Sequence, residues 1–324
     1  MERMKPMERN DRLVQVAGGS HAWLQGDGGW GQSNAGLVTA GDESLLVDTL
    51  FDVAHTRRML DSLDGLTRAA PISTVVNTHG NGDHWFGNQL LADAEIIASE
   101  ATIAEMRMVG PAEVRALTSM PGPTGDYTRE IFGDFDFGDV EARYPSRSFT
   151  SELTITVGDT EVVLLDVGPA HTAGDTIIHV ERDRVVFTGD IVFAGGTPIV
   201  WAGPFDNWVR ACERILAFEP AHIVPGHGPV ASARHVHDMV DYLSFVREQA
   251  ERRFDAGMSA AQAARDIDLG TYAGWPESER LAANVLVAYR ELGDTSEPPV
   301  SGPAVFGCMA ELRTHPSDVT GGVH

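Results

Sequence analysis

The stretch Thr78-His79-Gly80-Asn81-Gly82-Asp83-His84 crowds two imidazoles, a carboxylate and an amide into one turn. Imidazole nitrogen and carboxylate oxygen are the usual protein ligands of zinc and related Lewis-acidic ions. Such a site can acidify water and polarise a carbonyl group. Four shorter segments carry the same residue types: Gly168-Pro169-Ala170-His171-Thr172-Ala173-Gly174-Asp175, Phe187-Thr188-Gly189-Asp190, Val224-Pro225-Gly226-His227-Gly228 and Leu45-Leu46-Val47-Asp48. Small residues beside these donors let the backbone come close to an ion.

The elements that must position them read as short strands. Residues 73–77 form an apolar run ahead of the first motif, and 85–91 read as a helix start. Residues 35–40 and 44–48 pair across Gly41-Asp42-Glu43. Asp52 caps a helix to about Leu63, which Gly65 ends. Residues 94–98 give another strand. Two further hairpins are 153–157 with 161–166, and 176–180 with 184–188. A helix capped by Asp206 covers 207–218, and a strand covers 221–224.

Residues 1–12 read as a loose arm. Residues 99–149 break the strand pattern and read as an inserted helical lid, with helices near 100–109 and 111–119, a break at Pro121-Gly122-Pro123 and a loose end. Beyond 230 the segments 231–256, 259–267 and 276–292 read as helices, followed by an irregular tail over 296–324. Two strand-rich halves, 13–99 and 150–225, fit two packed sheets with helices outside. The stripe at Leu281, Val285, Ala288 and Tyr289 docks on the core or forms a homodimer face, and docking is the preferred reading.

The ordered donor series resembles the metallo-β-lactamase superfamily, in which a His-x-His-x-Asp-His motif, a later His, an Asp and a final His bind two metals. The matching positions are His79, Asn81, Asp83, His84, His171, Asp190 and His227, and the resemblance spans roughly residues 13–230. It implies an α/β fold: a four-layer αββα sandwich of two mixed sheets with the metals at one edge, here with a C-terminal helical extension over 231–324. It implies His79, Asn81 and His171 around one ion, Asp83, His84 and His227 around another, and Asp190 and a hydroxide bridging them. Asp83, which orients the attacking water in family members, and Asp190 are then the catalytic candidates. Asp48, Thr78, Thr172 and Asp175 are candidates to support the ligands, with Asp48 and Asp175 accepting imidazole N–H groups.

Asn81 stands where the family has histidine, and an amide oxygen binds zinc more weakly than imidazole. One zinc, or an unequal pair, is therefore expected, with manganese or iron as alternatives. The expected reaction is hydrolysis of an ester, thioester or lactone of a small, apolar or aromatic molecule by a metal-bound hydroxide. Other readings are a polyketide cyclase–thioesterase, a β-lactamase, a di-iron redox enzyme and a non-catalytic binding protein.

Candidate pocket aromatics are Trp30 on the glycine-rich loop 26–31, Trp85 and Phe86 after the motif, Phe135 and Phe137 on the lid, and Phe193 and Trp201 after Asp190. Arg143 and Arg147 are the positive charges near the lid end. Lys plus Arg number 24 against 47 Asp plus Glu, a formal charge of −23, which disfavours nucleic-acid and anionic-membrane partners. Only Cys212 and Cys308 are present, so a disulfide framework is not expected. With no signal-peptide pattern or membrane span in the sequence, a cytoplasmic location is expected.

Overall fold

The structure is a computed structural model that describes residues 10–294 and 302–314. The first half contains β1 (Arg12–Ala17), β2 (Ser20–Leu24), β3 (Ala35–Ala40), β4 (Glu43–Val47), α1 (Val53–Thr67), β5 (Ile72–Val76) and β6 (Glu95–Ser99). The inserted region holds α2 (Glu100–Met108), α3 (Pro111–Thr118) and α4 (Gly122–Ile131), and ends at β7 (Arg147–Phe149). Next come β8 (Glu152–Val157), β9 (Thr160–Asp166), β10 (Thr176–Val180), β11 (Val185–Phe187), α5 (Phe205–Ala217) and β12 (His222–Val224). Four helices complete the described chain: α6 (Ala233–Asp255), α7 (Ala260–Asp266), α8 (Leu281–Glu291) and α9 (Pro303–Thr314).

Strands β1 to β7 form one sheet in sequence order, antiparallel up to β4 and parallel from β4 to β7. The second sheet runs β12-β11-β10-β9-β8, with only β11 and β12 parallel. Both faces of each sheet are covered, so the inner strands are apolar throughout. Leu45, Val47, Val76 and Ile97 face the second sheet, where Leu164, Ile178, Val185 and Phe187 meet them. Their neighbours Leu46, Val75 and Ile96 face Met59 and Leu63 of α1. On the far side of the second sheet, Ile177 and Val186 pack with Trp208 and Ile215 of α5 and with Val236, Met239 and Leu243 of α6. The layers are helix, sheet, sheet, helix.

Several local expectations change. Helix α1 is capped by Asp52 but runs through Gly65 to Thr67, because its Leu63 is buried and Gly65 meets nothing. Helix α5 is capped by Pro204, and Asp206 lies in its first turn. Residues 85–91 form a 3-10 turn, Phe86–Leu90, rather than an α-helix. The Pro121-Gly122-Pro123 break is the start of α4, since proline is tolerated in a first helical turn.

The end of the inserted region is not loose. Phe135, Phe137 and Val140 are buried, and the Asp136 N–H donates to Asp52 Oδ2 at 3.0 Å. The helix expected over 276–292 is interrupted: Glu277 is left-handed (φ 62), Ser278–Arg280 is a 3-10 turn, and α8 starts at Leu281. Residues Leu281–Tyr289 of α8 are buried, and the helix packs against α6, α7 and α9, so the stripe at Leu281, Val285, Ala288 and Tyr289 docks within the chain. The expected irregular tail contains α9, while its residues 296–301 and 315–324, like residues 1–9 of the expected arm, lie outside the described residues.

Candidate metal centre and its cavity

The donors share one edge of the sandwich for a topological reason. Strands β4 and β5 are parallel, as are β11 and β12, so their C-terminal ends face the same way. Asp48 follows β4, His79 follows β5, Asp190 follows β11 and His227 follows β12. The β9–β10 loop brings His171 to the same edge, and the 3-10 turn Gly82–His84 folds Asp83 and His84 back over it. The two parallel crossings meet closely. A side chain at Gly226 would collide with Asp190 Oδ1 and the Gly189 backbone.

All four imidazoles are anchored through Nδ1. His84 Nδ1 donates to Asp48 Oδ2 at 2.8 Å. His79 Nδ1 donates to Thr78 Oγ1 at 2.9 Å, and that hydroxyl donates to Asp48 Oδ2 at 2.7 Å. His171 Nδ1 donates to the Ile199 carbonyl at 2.7 Å, and His227 Nδ1 to the Gly28 carbonyl at 3.1 Å. These bonds assign the first ring proton to Nδ1, so Nε2 is the atom left to face the cluster and to bind a cation when unprotonated.

Each Nε2 points at Asp190: 3.2 Å from His84 to Oδ1, and 3.3 Å, 3.4 Å and 3.8 Å from His171, His227 and His79 to Oδ2. Asp83 Oδ2 lies 3.4 Å from His227 Nε2 and 3.9 Å from His84 Nε2. His79, His84 and Asp190 form one group whose donor atoms lie within 4.8 Å of one another; Asp83, His84 and His227 form another.

Asp48 thus accepts imidazole N–H, but Asp175 does not. Its carboxylate takes the Ala170 and Thr172 N–H groups and the Thr172 hydroxyl, and so shapes the backbone around His171.

These residues fit a cation. His79 Nε2, His84 Nε2 and Asp190 Oδ1 are buried without a partner, although a buried polar atom normally has one. His171 Nε2 sits 2.8 Å from Asn81 Oδ1, so two lone pairs face each other; a cation bound by both, or an Asn81 amide turned to donate, removes the conflict.

The electrostatics agree. Burial disfavours charge on His84 and His227, yet the carboxylates around them, Asp190 foremost, outweigh it and raise both, His227 to about 9. His79 and His171 are driven down by burial, His171 to about 4. Burial opposes charge on Asp190 too, but His227, His84 and His79 hold its carboxyl well below the usual range.

The superfamily's sequence profile, described as Metallo-beta-lactamase superfamily, matches residues 28–227. The chain belongs to the metallo-β-lactamase superfamily. Over 195 residues it is 28% identical to the 2,4-dinitroanisole O-demethylase subunit alpha of Nocardioides sp. (strain JS1661), covering 59% of this chain and 51% of that protein. It is 25% identical over 231 residues to the acyl-coenzyme A thioesterase MBLAC2 of Gallus gallus, covering 66% of this chain and 79% of the relative. A double mutant of the sec-alkyl sulfatase PisA1 has the same fold, with a TM-score of 0.68 at 15% identity over 91% of this chain and 51% of that one. The chain spans about half the length of both the demethylase subunit and the sulfatase.

In this superfamily member the donor cluster forms the floor of a cavity of about 1000 Å³. Asn81, Asp83, His171, Asp190 and His227 reach it. Of the expected aromatics, Trp30, Phe193 and Trp201 line it. Trp85, Phe86, Phe135 and Phe137 do not. Trp85 is fully buried, with Nε1 donating to the Gly80 carbonyl at 3.0 Å. Phe86, Phe135 and Phe137 pack their rings around Phe51, and only Phe51 faces the cavity.

The inserted region contributes Met108, Val114 and Leu117 to the wall, and the C-terminal helices contribute Val287 and Phe306. Arg143 is used on the backbone carbonyls of Leu91, Ala92 and Ala94, and Arg147 pairs with Glu95. The buried cation on the cavity wall is Arg280, which the sequence did not single out. Glu105 was missed as well. It sits against Gly80 in the wall, and burial pushes its carboxyl up. Its only sequence signal was a place in the region read as a lid.

Proposed function

We propose that this chain is a metal-dependent hydrolase of small, uncharged esters or lactones with an aryl or other apolar group, and that zinc is its metal. The reading rests on one observation: an apolar, aromatic-walled cavity reaches Asp190, His171 and His227, beside which His79 Nε2, His84 Nε2 and Asp190 Oδ1 are buried without a protein partner. A zinc ion held there supplies a Lewis acid and makes water a competent nucleophile at neutral pH.

The chain's own residues do the rest. Asp48 and Thr78 fix His84 and His79 with Nε2 inward. Asp83, at the rim of the cluster, accepts a hydrogen bond from the attacking water and aims it at the carbonyl carbon. Trp30, Phe193, Trp201 and Phe306 hold the aryl group and exclude bulk water. Glu105, Glu113 and Glu291 place three carboxyls on the wall against Arg290, while Arg280 is paired with Glu277. That balance favours neutral substrates over polyanionic thioesters such as those of coenzyme A.

The test is a panel of aryl esters, lactones and acyl thioesters, assayed with chelator-stripped protein reloaded with zinc, manganese or iron. Zinc should restore cleavage of aryl esters, with acyl-coenzyme A thioesters poorer. Full activity of stripped protein, or no cleavage of any compound, overturns the reading. Asn81 on the His171 side makes one binding position weaker, so elemental analysis after mild chelation should find about one ion per chain. Two equally tight zinc ions would contradict that.

A further inference from the structure

We propose that Glu277 and Arg280, which lie outside the stretch matched to the superfamily, are positioning residues that fix both the aromatic wall and the His227 imidazole. Glu277 Oε1 accepts the Trp30 N–H at 2.7 Å, and Oε2 pairs with Arg280 Nη2 at 2.7 Å. Arg280 Nη1 donates to the Thr197 carbonyl at 2.8 Å, and the Thr197 N–H donates to the Pro276 carbonyl at 3.2 Å. The segment 276–280 therefore laces the loop after Asp190 to the loop that carries Trp30.

The guanidinium also fills the space between two aromatic rings. It lies 4.1 Å from the Trp30 ring centroid and 5.4 Å from that of Phe193. Phe193 stacks on His227, with centroids 5.2 Å apart and planes 5° from parallel. The Trp30 loop supplies the Gly28 carbonyl that takes the His227 Nδ1 proton. One face and one edge of His227 thus depend on loops that Glu277 and Arg280 hold.

Two features mark the pair as more than a surface contact. Arg280 is only 2% exposed, so its charge depends on Glu277 for compensation. Glu277 is held in the left-handed region, φ 62, which a non-glycine residue rarely adopts. Local strain of this kind persists where the surroundings demand it. A planar fork that reaches a carboxylate and a carbonyl together is a property of arginine that lysine lacks.

The effect on turnover rests on the hydrolase reading; the effect on metal retention does not. The test measures bound zinc by elemental analysis across a weak-chelator titration, and kcat and KM for an aryl ester. It compares wild type, E277Q, R280M and R265M; the last removes the exposed Arg265–Glu311 pair of the same extension.

E277Q and R280M should release zinc at roughly tenfold lower chelator concentration, the scale of losing an outer-sphere partner. They should also raise KM about tenfold with a smaller fall in kcat, and R265M should do neither. R280M leaves Glu277 without its cation. If that variant does not fold, the double variant E277Q/R280M, which removes both charges, carries the test, and its losses should match those of E277Q. Wild-type zinc retention and KM in E277Q and the double variant overturn the proposal. So does an equal loss in R265M, which would assign the effect to the extension as a whole. Wild-type protein that holds zinc yet cleaves no ester overturns the hydrolase reading alone, and zinc retention then decides this one.

Discussion

The donor edge and the cavity wall of this molecule are built in opposite ways. The donor edge comes from strand ends. Its side chains are short and buried, its four imidazoles are each held through Nδ1 by a named hydrogen bond, and its backbone is set by two parallel strand pairs. The wall comes from helices inserted after β6 and added after β12 together with the loops that carry Trp30, Phe193 and Trp201, and outside the Glu277–Arg280 lacing it is held by apolar packing. Directional bonds fix a cation site to within tenths of an ångström, whereas apolar packing is tolerant of shape. Donor placement and cavity shape are therefore set by different kinds of contact, and substitutions in the two regions should fail differently.

The largest expected effect is at the donor edge. Asp190→Ala removes the carboxylate that faces all four imidazoles and should abolish both ester hydrolysis and zinc binding. The loss should go beyond the roughly 100-fold expected of an outer partner, as read by initial rates and elemental analysis. Turnover within tenfold of wild type would break the assignment.

Asp48→Ala comes next. It unpairs the His84 ring and the Thr78 hydroxyl, and should weaken zinc affinity by roughly 10–100-fold while the fold persists. A competition titration with a chromophoric chelator reads that.

Two tryptophans sharpen the contrast within the wall. Trp85→Ala should cost about 3–5 kcal/mol of stability, seen in denaturant titrations, because the ring is core. Trp201→Ala should leave the melting temperature nearly unchanged and raise KM for aryl esters roughly tenfold, with little change in kcat. A reversal of the two phenotypes would mean that the cavity wall is wrongly drawn.

The smallest effect concerns the metal-free protein. The His227 pKa is raised to about 9 against an ordinary value near 6.5, and His84 shifts the same way. Their stabilisation is complete below about pH 6.5 and is lost as pH rises through about 9. Melting temperatures of chelated protein should fall over that window, on the order of a few degrees. Zinc competes with these protons, so the slope should flatten in loaded protein.

Much of the donor edge was legible along the chain. A histidine or aspartate within three residues of the end of an apolar run declares itself, because a strand buried on both faces has no reason to lead into such a residue. The place of Asp48 beside the His84 ring was legible for the same reason. Its partner in that expectation, Asp175, serves the backbone instead, and the choice between a ring N–H and a loop amide is made by distance alone. Sequence reasoning failed most at the wall. Nothing in the types of Trp85, Phe86, Phe135 and Phe137 separates an aromatic that packs behind Phe51 from one that touches a ligand.

By itself, the sequence determined the order of strands and donors, the apolar runs that bury both faces of two sheets, and the acidic balance. Each is a local property of residue type and period. The tertiary structure alone decided which helices close over the donors, that α9 exists in the expected tail, and that Arg280 and Glu277 reach Trp30 from about 250 residues away. Those outcomes depend on packing between segments distant in the chain, and residue periodicity carries no information about which distant surfaces will meet.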